Sequence, residues 1–508
     1  MFSVPPKNWK YLRKRIFEND MGSGRNYFKR GISYLKRNGL ARSFDKAYER
    51  LCRDADEANY CPEKADEETL LRQRSHVFDN PYKFSILVPV YETQPELLRK
   101  MLDSVGDQTY GNWELILADA SSDDSRRNIV REFTEEYNLL CKDSYGSIFE
   151  KVVYVRVPEN KGISQNTNEA LSRATGDYTG LLDHDDVLEN TALFDIMSAI
   201  DENEKCGRAD ESIRKVLALY TDEDKISEDG ARYFDLHEKP SFDPVLLCTN
   251  NYICHFFVVD TNIAKSVGGF RPQYDGAQDH DFIIRCTEGM RKEQILHVPK
   301  VLYHWRSTKG STSENPDAKL YAYEAGKRAV EDHLKREGMS AKVSNSAHLG
   351  FFEIKYDSFE GKVRTIGTDE LGKTVSSPSD VQDVKFLMVL SKNLAPSSED
   401  YLSDMMSVMN LPNVGAVTGK IVGRNGKIES AGYDISGLNE ITPRFSGLNR
   451  RFSGYMHRAE LDRLSDAFSP DCVLLRLDAV ESLYPEIVLK DGSDIYYRHK
   501  AVFTRKTV

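Results

Sequence analysis

Between Phe84 and Asp186 a short apolar run followed by polar residues recurs four times, with a stretch of helical spacing after each of the first three. The runs are Phe84 to Val88, Glu114 to Ala118, Val152 to Val157 and Tyr178 to Leu182. Near-continuous apolar runs of this length are how strands buried on both faces read. Leu97, Leu98, Met101, Leu102 and Val105 place one apolar face on a helix beginning near Pro95. Ala120 to Asp124 caps a second helix running toward Tyr137, and a third spans Ser164 to Ala174. The order β-α-β-α-β-α-β predicts a parallel sheet with helices on its faces.

Polar groups follow each strand: Tyr91 and Glu92, then Asp119, Lys161, and finally Asp183, Asp185 and Asp186. Open α/β sheets bind ligands at the carboxyl ends of their strands. Two carboxylates one residue apart can hold a hard divalent cation, and that cation a diphosphate. An acidic triplet alone reads equally well as a loop or a helix N-terminus. Four successive strand ends carrying polar groups to one edge weigh against that reading. No G-x-x-x-x-G-K-[ST] loop occurs, so phosphates would fall to a metal or to side chains.

Further on, Val216 to Tyr220 reads as a strand ending in Thr221-Asp222-Glu223-Asp224. Asn250-Asn251-Tyr252 leads into a strand at Phe256 to Val259. Gly268-Gly269-Phe270 precedes Gln278-Asp279-His280-Asp281, which opens a helix. Ile295 to Tyr303 is a strand leading to His304-Trp305-Arg306, then a polar loop and a helix from about Pro316 to Arg336.

These linked segments resemble family 2 glycosyltransferases, which have the GT-A fold. They are Val88-Pro89-Val90-Tyr91, Gly162-Ile163-Ser164 with Thr167-Asn168, Leu182-Asp183-His184-Asp185-Asp186, Gly268-Gly269-Phe270, Gln278-Asp279-His280-Asp281 and Tyr303-His304-Trp305-Arg306. The resemblance runs from Phe84 to Gly338 and is strongest to the bacterial branch that builds O-antigen and rhamnan-type surface polysaccharides. It implies an α/β nucleotide-diphospho-sugar transferase fold and an inverting, metal-dependent transfer with Mn²⁺ or Mg²⁺. It implies a UDP- or dTDP-sugar donor and a glycan or lipid-linked oligosaccharide acceptor. Position by position, it implies that Pro89, Tyr91 and Glu92 line the nucleoside pocket and that Asp119 contacts the base. The family often has a second acid just before Asp119; Ala118 stands there, which leaves uridine and thymidine both open. Lys161 would close on the nucleotide. Asp183 and Asp185 would serve the metal and ribose, with Asp185 the direct ligand, and His304 would add a further ligand. Asp279 matches the catalytic base.

The chemistry fits these roles. A divalent cation neutralises a leaving diphosphate, and one carboxylate on the opposite face of the sugar can deprotonate the acceptor hydroxyl. Other readings stand beside them: a helix N-cap for Asp279, Asp281 as the base one turn position away, and a packed histidine beside Trp305 for His304. Asp222 is expected near the donor sugar, with a solvated turn as the alternative. Asn251, Tyr252 and Trp305 are expected on the acceptor side.

From about Ser346 the texture changes. Phe351 to Tyr356, Val384 to Leu390 and Val414 to Thr418 read as strands, and Asn413 to Val417 followed by Gly426 to Gly432 resembles the later half of another family 2 domain. Where that domain would carry its acidic pair, this chain has Ser391-Lys392-Asn393, and lysine there repels a cation. The expected organisation is a basic helical segment over 1–80, a catalytic domain over 81–345 and a degenerate, noncatalytic GT-A-like module over 346–508.

Charge separates these parts. The chain carries 69 Lys/Arg against 80 Asp/Glu, which argues against bulk nucleic-acid binding. Residues 1–50 instead hold thirteen basic and four acidic residues, with Trp9, Leu12, Ile16, Phe28, Ile32 and Leu35 at helical spacing. Such a segment can lie on the cytoplasmic face of an anionic membrane, or pack as ordinary helices with a solvated basic face. No apolar run is long enough to span a bilayer, and no signal sequence with an apolar core is present. The eight cysteines are scattered without a C-x-x-C pair, as buried thiols of a reducing compartment would be, which makes the cytoplasm the expected location. Homo-oligomer formation is open. Two rival functions are a noncatalytic scaffold in glycan assembly and a nucleotidyltransferase. The first predicts lost acids in the first domain, and the second a Gly-rich basic loop where Pro89-Val90-Tyr91-Glu92 stands.

Overall fold

The computed structural model describes residues 34–36, 38–49, 60–145, 151–206, 215–308, 320–357 and 361–506. Most of the basic N-terminal segment, including Trp9, Leu12, Ile16, Phe28 and Ile32, lies outside the described residues; 38–49 is helical. Among the described residues no helix is long and apolar enough to cross a membrane. The described cysteines are all free, and Cys61 and Cys206 are exposed rather than buried.

Two compact units are present. One comprises 53–242 and 251–329; the other comprises 31–52, 243–250 and 330–508.

In the first unit the strands are β1 (Phe84–Val90), β2 (Trp113–Asp119), β3 (Val152–Arg156), β4 (Tyr178–Leu181), β5 (Val187–Leu188), β6 (Ala218–Ser227), β7 (Tyr233–His237), β8 (Phe257–Asp260) and β9 (Ile295–Ser307). They form one sheet in the order β3-β2-β1-β4-β8-β6-β9-β5, with β7 on β6. The half from β1 to β4 is parallel, as the apolar runs predict. Ile86, Leu87, Val88, Leu115, Ile116 and Leu117 are at most 1% exposed because helices Pro95–Gly106, Ser125–Tyr145 and Ile163–Arg173 follow these strands. Burying each such side chain stabilises the fold by about 1.5–3 kcal/mol. Gly180 in β4 leaves room for the Phe256 ring, which a Cβ there would meet at 2.6 Å.

The mixed half differs from the sequence reading at β6. The strand does not end at Tyr220 but continues through Thr221, Asp222, Glu223 and Asp224 to Ser227, pairing with β9 on one side. Four polar side chains that read as a solvated turn are therefore buried. Buried charge requires partners, and each carboxylate finds them on distant segments, as described below.

The second unit contains the hairpin β10 (Ala341–Asn345) and β11 (Phe352–Tyr356), then β12 (Val363–Ile366), β13 (Phe386–Leu390), β14 (Leu394–Pro396), β15 (Val414–Val422) and β16 (Ile428–Ser430). It continues with the hairpin β17 (Tyr433–Ile435) and β18 (Ile441–Pro443), then β19 (Arg463–Ser465), β20 (Cys472–Arg476), the hairpin β21 (Val480–Ser482) and β22 (Val488–Leu489), and β23 (Asp494–Arg505). Its main sheet runs β12-β13-β20-β15-β23-β14, with β16 on β15.

This order repeats the first sheet. β1 and β4 are parallel, β8 is antiparallel to both β4 and β6, β6 is parallel to β9, and β5 is antiparallel to β9. In the same chain order, β12 and β13 are parallel, β20 is antiparallel to both β13 and β15, β15 is parallel to β23, and β14 is antiparallel to β23. Even the register shift recurs, after Thr221 in β6 and after Gly419 in β15. Counterparts of β2 and β3 are absent: residues 367–385 join β12 to β13 where 91–177 join β1 to β4.

Registers fix the equivalences. Thr179 pairs with Val259, and Val259 with Ala218; Leu387 pairs with Leu475, and Leu475 with Ala416. Counting onward from Thr179 and Leu387, Asp183-His184-Asp185 corresponds to Ser391-Lys392-Asn393.

Candidate active site

The carboxyl ends of β1 and β4 open onto a cleft of about 670 Å³. It is lined by Pro89 and Tyr91 from β1, Asn160 and Gly162 before the helix Ile163–Arg173, Asp183, His184 and Asp185 after β4, Cys254 and His255 before β8, Asp279 of helix Gln278–Thr287, and Trp305 of β9. A larger groove of about 1030 Å³ lies at the opposite strand ends, by Lys83, Trp113 and Lys151. Its carboxylates are largely committed to cations, Asp103 and Glu136 to Arg99 and Glu114 to Lys83, and Lys151 lies over the Trp113 ring, so the first cleft, with its cluster of acids at the strand ends, is the candidate site.

One wall of the cleft is acidic. Asp183 keeps about a third of its side chain open (34%), yet burial raises its pKa, Asp185 and Asp279 add to that, and His255 opposes it. His255 Nε2 lies 3.9 Å from Asp183, and the His255 ring is stacked on Tyr303 at 4.5 Å. Its Nδ1 lies 3.2 Å from Glu223, which orients the ring. Glu223 is held well below the usual carboxylate range: burial opposes this, but Lys239, His237 and His255 outweigh it. Lys239, wholly buried, also donates to the carbonyls of Ile253 and His255. Asp183, Asp186 and His255 come close enough together to share a cation, and so do Glu223, Cys254 and His255.

Asp186 does not face the cleft. It accepts from the Tyr303 hydroxyl at 2.5 Å and the Arg306 amide at 2.6 Å, so it ties the acidic loop to β9. Burial, with Asp185 and Asp183 beside it, pushes its pKa well up.

Asp279 lines the same cleft, beside Cys254. Its Oδ2 accepts from Asn251 Nδ2 at 2.7 Å and lies 3.5 Å from Cys254 Sγ. It stands in the first turn of its helix, where the helix dipole favours negative charge. Asp281 faces away: Arg271 and Arg285 both engage it, and Arg285 also donates to the carbonyls of Val267 and Gly269 at 2.6 Å each. Asn168 completes this anchor by exchanging two 2.8 Å hydrogen bonds with the Phe270 backbone. The Gly268-Gly269-Phe270 turn, held by Asn168 and Arg285, thus anchors the helix that carries Asp279.

Of the residues singled out in the sequence, Pro89, Tyr91, Asp183, Asp185, Asp279 and Trp305 line the cleft, and Asn251 reaches it through Asp279. Glu92, Asp119 and Lys161 do not line it. Glu92 accepts from the Ser122 amide at 2.8 Å. Asp119 is fully buried, bonded to the Ser121 amide at 2.8 Å and the Tyr154 hydroxyl at 2.7 Å. Lys161 is exposed between the lining residues Asn160 and Gly162.

Three expectations are corrected. His304 does not line the cleft: its Nδ1 lies 2.6 Å from Asp224 and its Nε2 3.2 Å from Glu189, and these two carboxylates raise its pKa against the pull of burial. Asp222 is 5% exposed and bonded to His297 at 2.7 Å and to the Lys239 amide at 2.8 Å, neither in a solvated turn nor facing a donor sugar. Tyr252 is 1% exposed and packs edge-on against Tyr220, so it serves the core and not an acceptor. The residues missed were His255, Cys254 and Glu223. Their only sequence signal was Cys254-His255 directly before an apolar strand, a pattern too short to distinguish from packing.

Residues 85–241 match the family described as glycosyl transferase family 2. An uncharacterized protein of Sinorhizobium fredii is 31% identical to the chain, over 81% of the chain and 50% of that protein. The O-antigen biosynthesis protein RfbC of Myxococcus xanthus is 31% identical over 54% of the chain and 19% of that protein. The amylovoran biosynthesis glycosyltransferase AmsB of Erwinia amylovora is 24% identical over 54% of the chain and 92% of that protein. The chain thus spans half or less of the first two of these relatives. With its strand order and its acidic cleft, the first unit is similar to glycosyltransferase family 2 over residues 85–241.

Proposed function

We propose that the first unit transfers a sugar, with inversion, from a UDP- or dTDP-linked donor to a hydroxyl of a growing cell-surface polysaccharide or lipid-linked glycan. The observation that carries this is the meeting, in one cleft, of Asp183 and Asp185 at the end of β4 with Asp279 at the start of its helix. RfbC and AmsB are named for O-antigen and amylovoran biosynthesis, which supports a polysaccharide acceptor.

The residues fit a divalent cation. The Nδ1 of His184 is buried without a hydrogen-bond partner, 3.8 Å from Asp185, and Asp183 and Asp185 repel each other. Asp183, Asp185 and His255 would hold Mn²⁺ or Mg²⁺, which neutralises a leaving diphosphate. Pro89 and Tyr91 would take the nucleoside, Tyr91 being 49% exposed and free to stack. Asp279 would accept the proton of the acceptor hydroxyl on the oxygen that Asn251 leaves free. Trp305 gives a flat apolar wall for a sugar ring. The second unit, with Ser391-Lys392-Asn393 in place of the acidic pair, would be noncatalytic.

The test is a panel of UDP-, dTDP- and GDP-sugars with Mn²⁺, measuring release of the nucleoside diphosphate. Release from at least one donor, lost in Asp279→Asn, is expected. A protein that neither binds nor hydrolyses any of them would refute the reading.

A further inference from the structure

The second unit keeps a groove in the place where the first has its donor cleft. Phe84 pairs with Tyr178 and Val363 with Phe386, which makes Thr368 the counterpart of Pro89. Val259 and Leu475 are equivalent, which makes Asp471 the counterpart of His255. Both Thr368 and Asp471 line a groove of about 810 Å³.

Its chemistry has changed. The Lys392 ammonium, standing where His184 stands, is bound to Asp369 at 2.7 Å. Asp471 is bound to Arg505 at 2.7 Å. Of the other lining carboxylates, Asp466 lies 4.0 Å from Arg444, which leaves Glu486 and Asp491 with the ammonium of Lys490 beside them. This lining offers an anionic ligand such as a nucleoside diphosphate no cluster of cations. It offers aromatic faces instead. Tyr484 is 55% exposed, and one side of its ring lies against Gly372 (φ 74), where any Cβ would collide with it. Phe468 lines the same groove. Among the described residues, none pairs with Glu486 or Asp491.

A ring held from behind and open in front, flanked by unpaired carboxylates, suits a ligand with apolar C–H faces and many hydroxyl donors. We infer that the groove of the second unit is a noncatalytic binding site for an uncharged oligosaccharide. It does not rest on the transfer reaction proposed for the first unit.

The experiment uses the full chain. Unbranched oligosaccharides of glucose, mannose, galactose and rhamnose, four or more units long, are titrated by calorimetry and saturation-transfer NMR, with UDP plus Mn²⁺ as the control. At least one is expected to bind. Tyr484→Ala is expected to weaken that binding tenfold or more, Glu486→Gln several-fold, and Tyr484→Phe little, which separates loss of the ring from loss of the fold. UDP–Mn²⁺ affinity is expected to be unchanged in all three. Absence of binding across the panel, binding indifferent to Tyr484→Ala, or displacement of the sugar by UDP would overturn the inference. Sugar binding without any UDP–Mn²⁺ binding would sink the donor-cleft reading and leave this one standing.

Discussion

The Asn251 amide donates to Oδ2 of Asp279 over 2.7 Å, so one carboxylate oxygen is occupied and the other is left for a hydroxyl. A base aimed in this way loses its function when it cannot accept a proton. Asp279→Asn is expected to lower kcat by about 10²- to 10⁴-fold, the usual worth of a positioned general base. Nucleotide affinity should hold, because the nucleoside wall is separate. Asn251→Ala releases the carboxylate without removing it, and a drop of about tenfold is expected. Equal losses in the two variants would mean that Asn251 itself touches the reacting groups.

Asp281 sits two residues further on and has the opposite role. It is engaged by both Arg271 and Arg285, at 1% exposure. Removing one partner of a buried pair leaves uncompensated charge, at a cost of about 3–5 kcal/mol. Asp281→Asn is therefore expected to lower the unfolding midpoint by several degrees while the folded fraction keeps kcat within a few-fold. A soluble, thermally normal and inactive variant would instead make Asp281 the base.

Metal removal should separate the two histidines. EDTA, or Asp185→Asn, is expected to abolish metal-dependent UDP binding, and His255→Ala to weaken Mn²⁺ affinity by about tenfold or more. His304→Ala should leave that dependence intact and lower stability instead, because it strands Asp224 and Glu189. Calorimetric titration of Mn²⁺ with UDP present gives the readout.

The contrast between these histidines shows what a sequence can convey. The parallel half, β1 to β4, was legible because strands covered on both faces must be apolar throughout, and the polar group at each end marks the ligand edge. The place of Asp183 and Asp185 in the cleft was legible for the same reason, since they follow directly on β4, and that of Asp279 because it opens a readable helix. β6 was not, because Asp222, Glu223 and Asp224 break the apolar run, and the groups that neutralise them, His297, Lys239 and His304, come from segments far along the chain. His304 looked like a ligand only while Asp224 and Glu189 were out of sight. His255 had no local pattern at all; only its stacking on Tyr303 and its bond to Glu223 give it a direction.

Glu114 at the base of β2 should govern part of the acid stability. Burial works against its charge, but Lys83, Ser85 and Thr175 outweigh that and bring its pKa down to about 2 from the ordinary 4.5. A folded-state pKa below the unfolded one contributes stability that is full above about pH 4.5 and is lost as pH falls toward 2. The shift corresponds to about 3 kcal/mol; because Lys83 is 35% exposed, screening reduces it to about 2 kcal/mol. Glu114→Gln is expected to lower stability by that amount at pH 7 and by little near pH 2. Urea unfolding at both pH values measures the difference, and an equal loss at both would assign the effect to packing.

Restoring the acidic pair in the second unit should not restore a nucleotide site. Ser391→Asp, Lys392→His and Asn393→Asp together rebuild Asp-His-Asp at the end of β13. They do not rebuild the strands that would hold a base, since 367–385 replaces the whole span equivalent to 91–177. The graft also leaves Asp369 without the Lys392 ammonium that pairs with it. Asp471 stands where His255 stands, bound to Arg505, so the third donor is a committed carboxylate. Made in an Asp185→Asn background, which silences the first cleft, the triple graft is expected to show no metal-dependent UDP binding by calorimetry. The reverse replacement, Asp183→Ser, His184→Lys and Asp185→Asn, is expected to abolish UDP binding in the first unit, because a lysine at that strand end occupies the place of the cation without its coordination. UDP binding that appears in the grafted chain would mean that the second cleft lost only its metal ligands, and that the rest of a donor site is still built into residues 346–508.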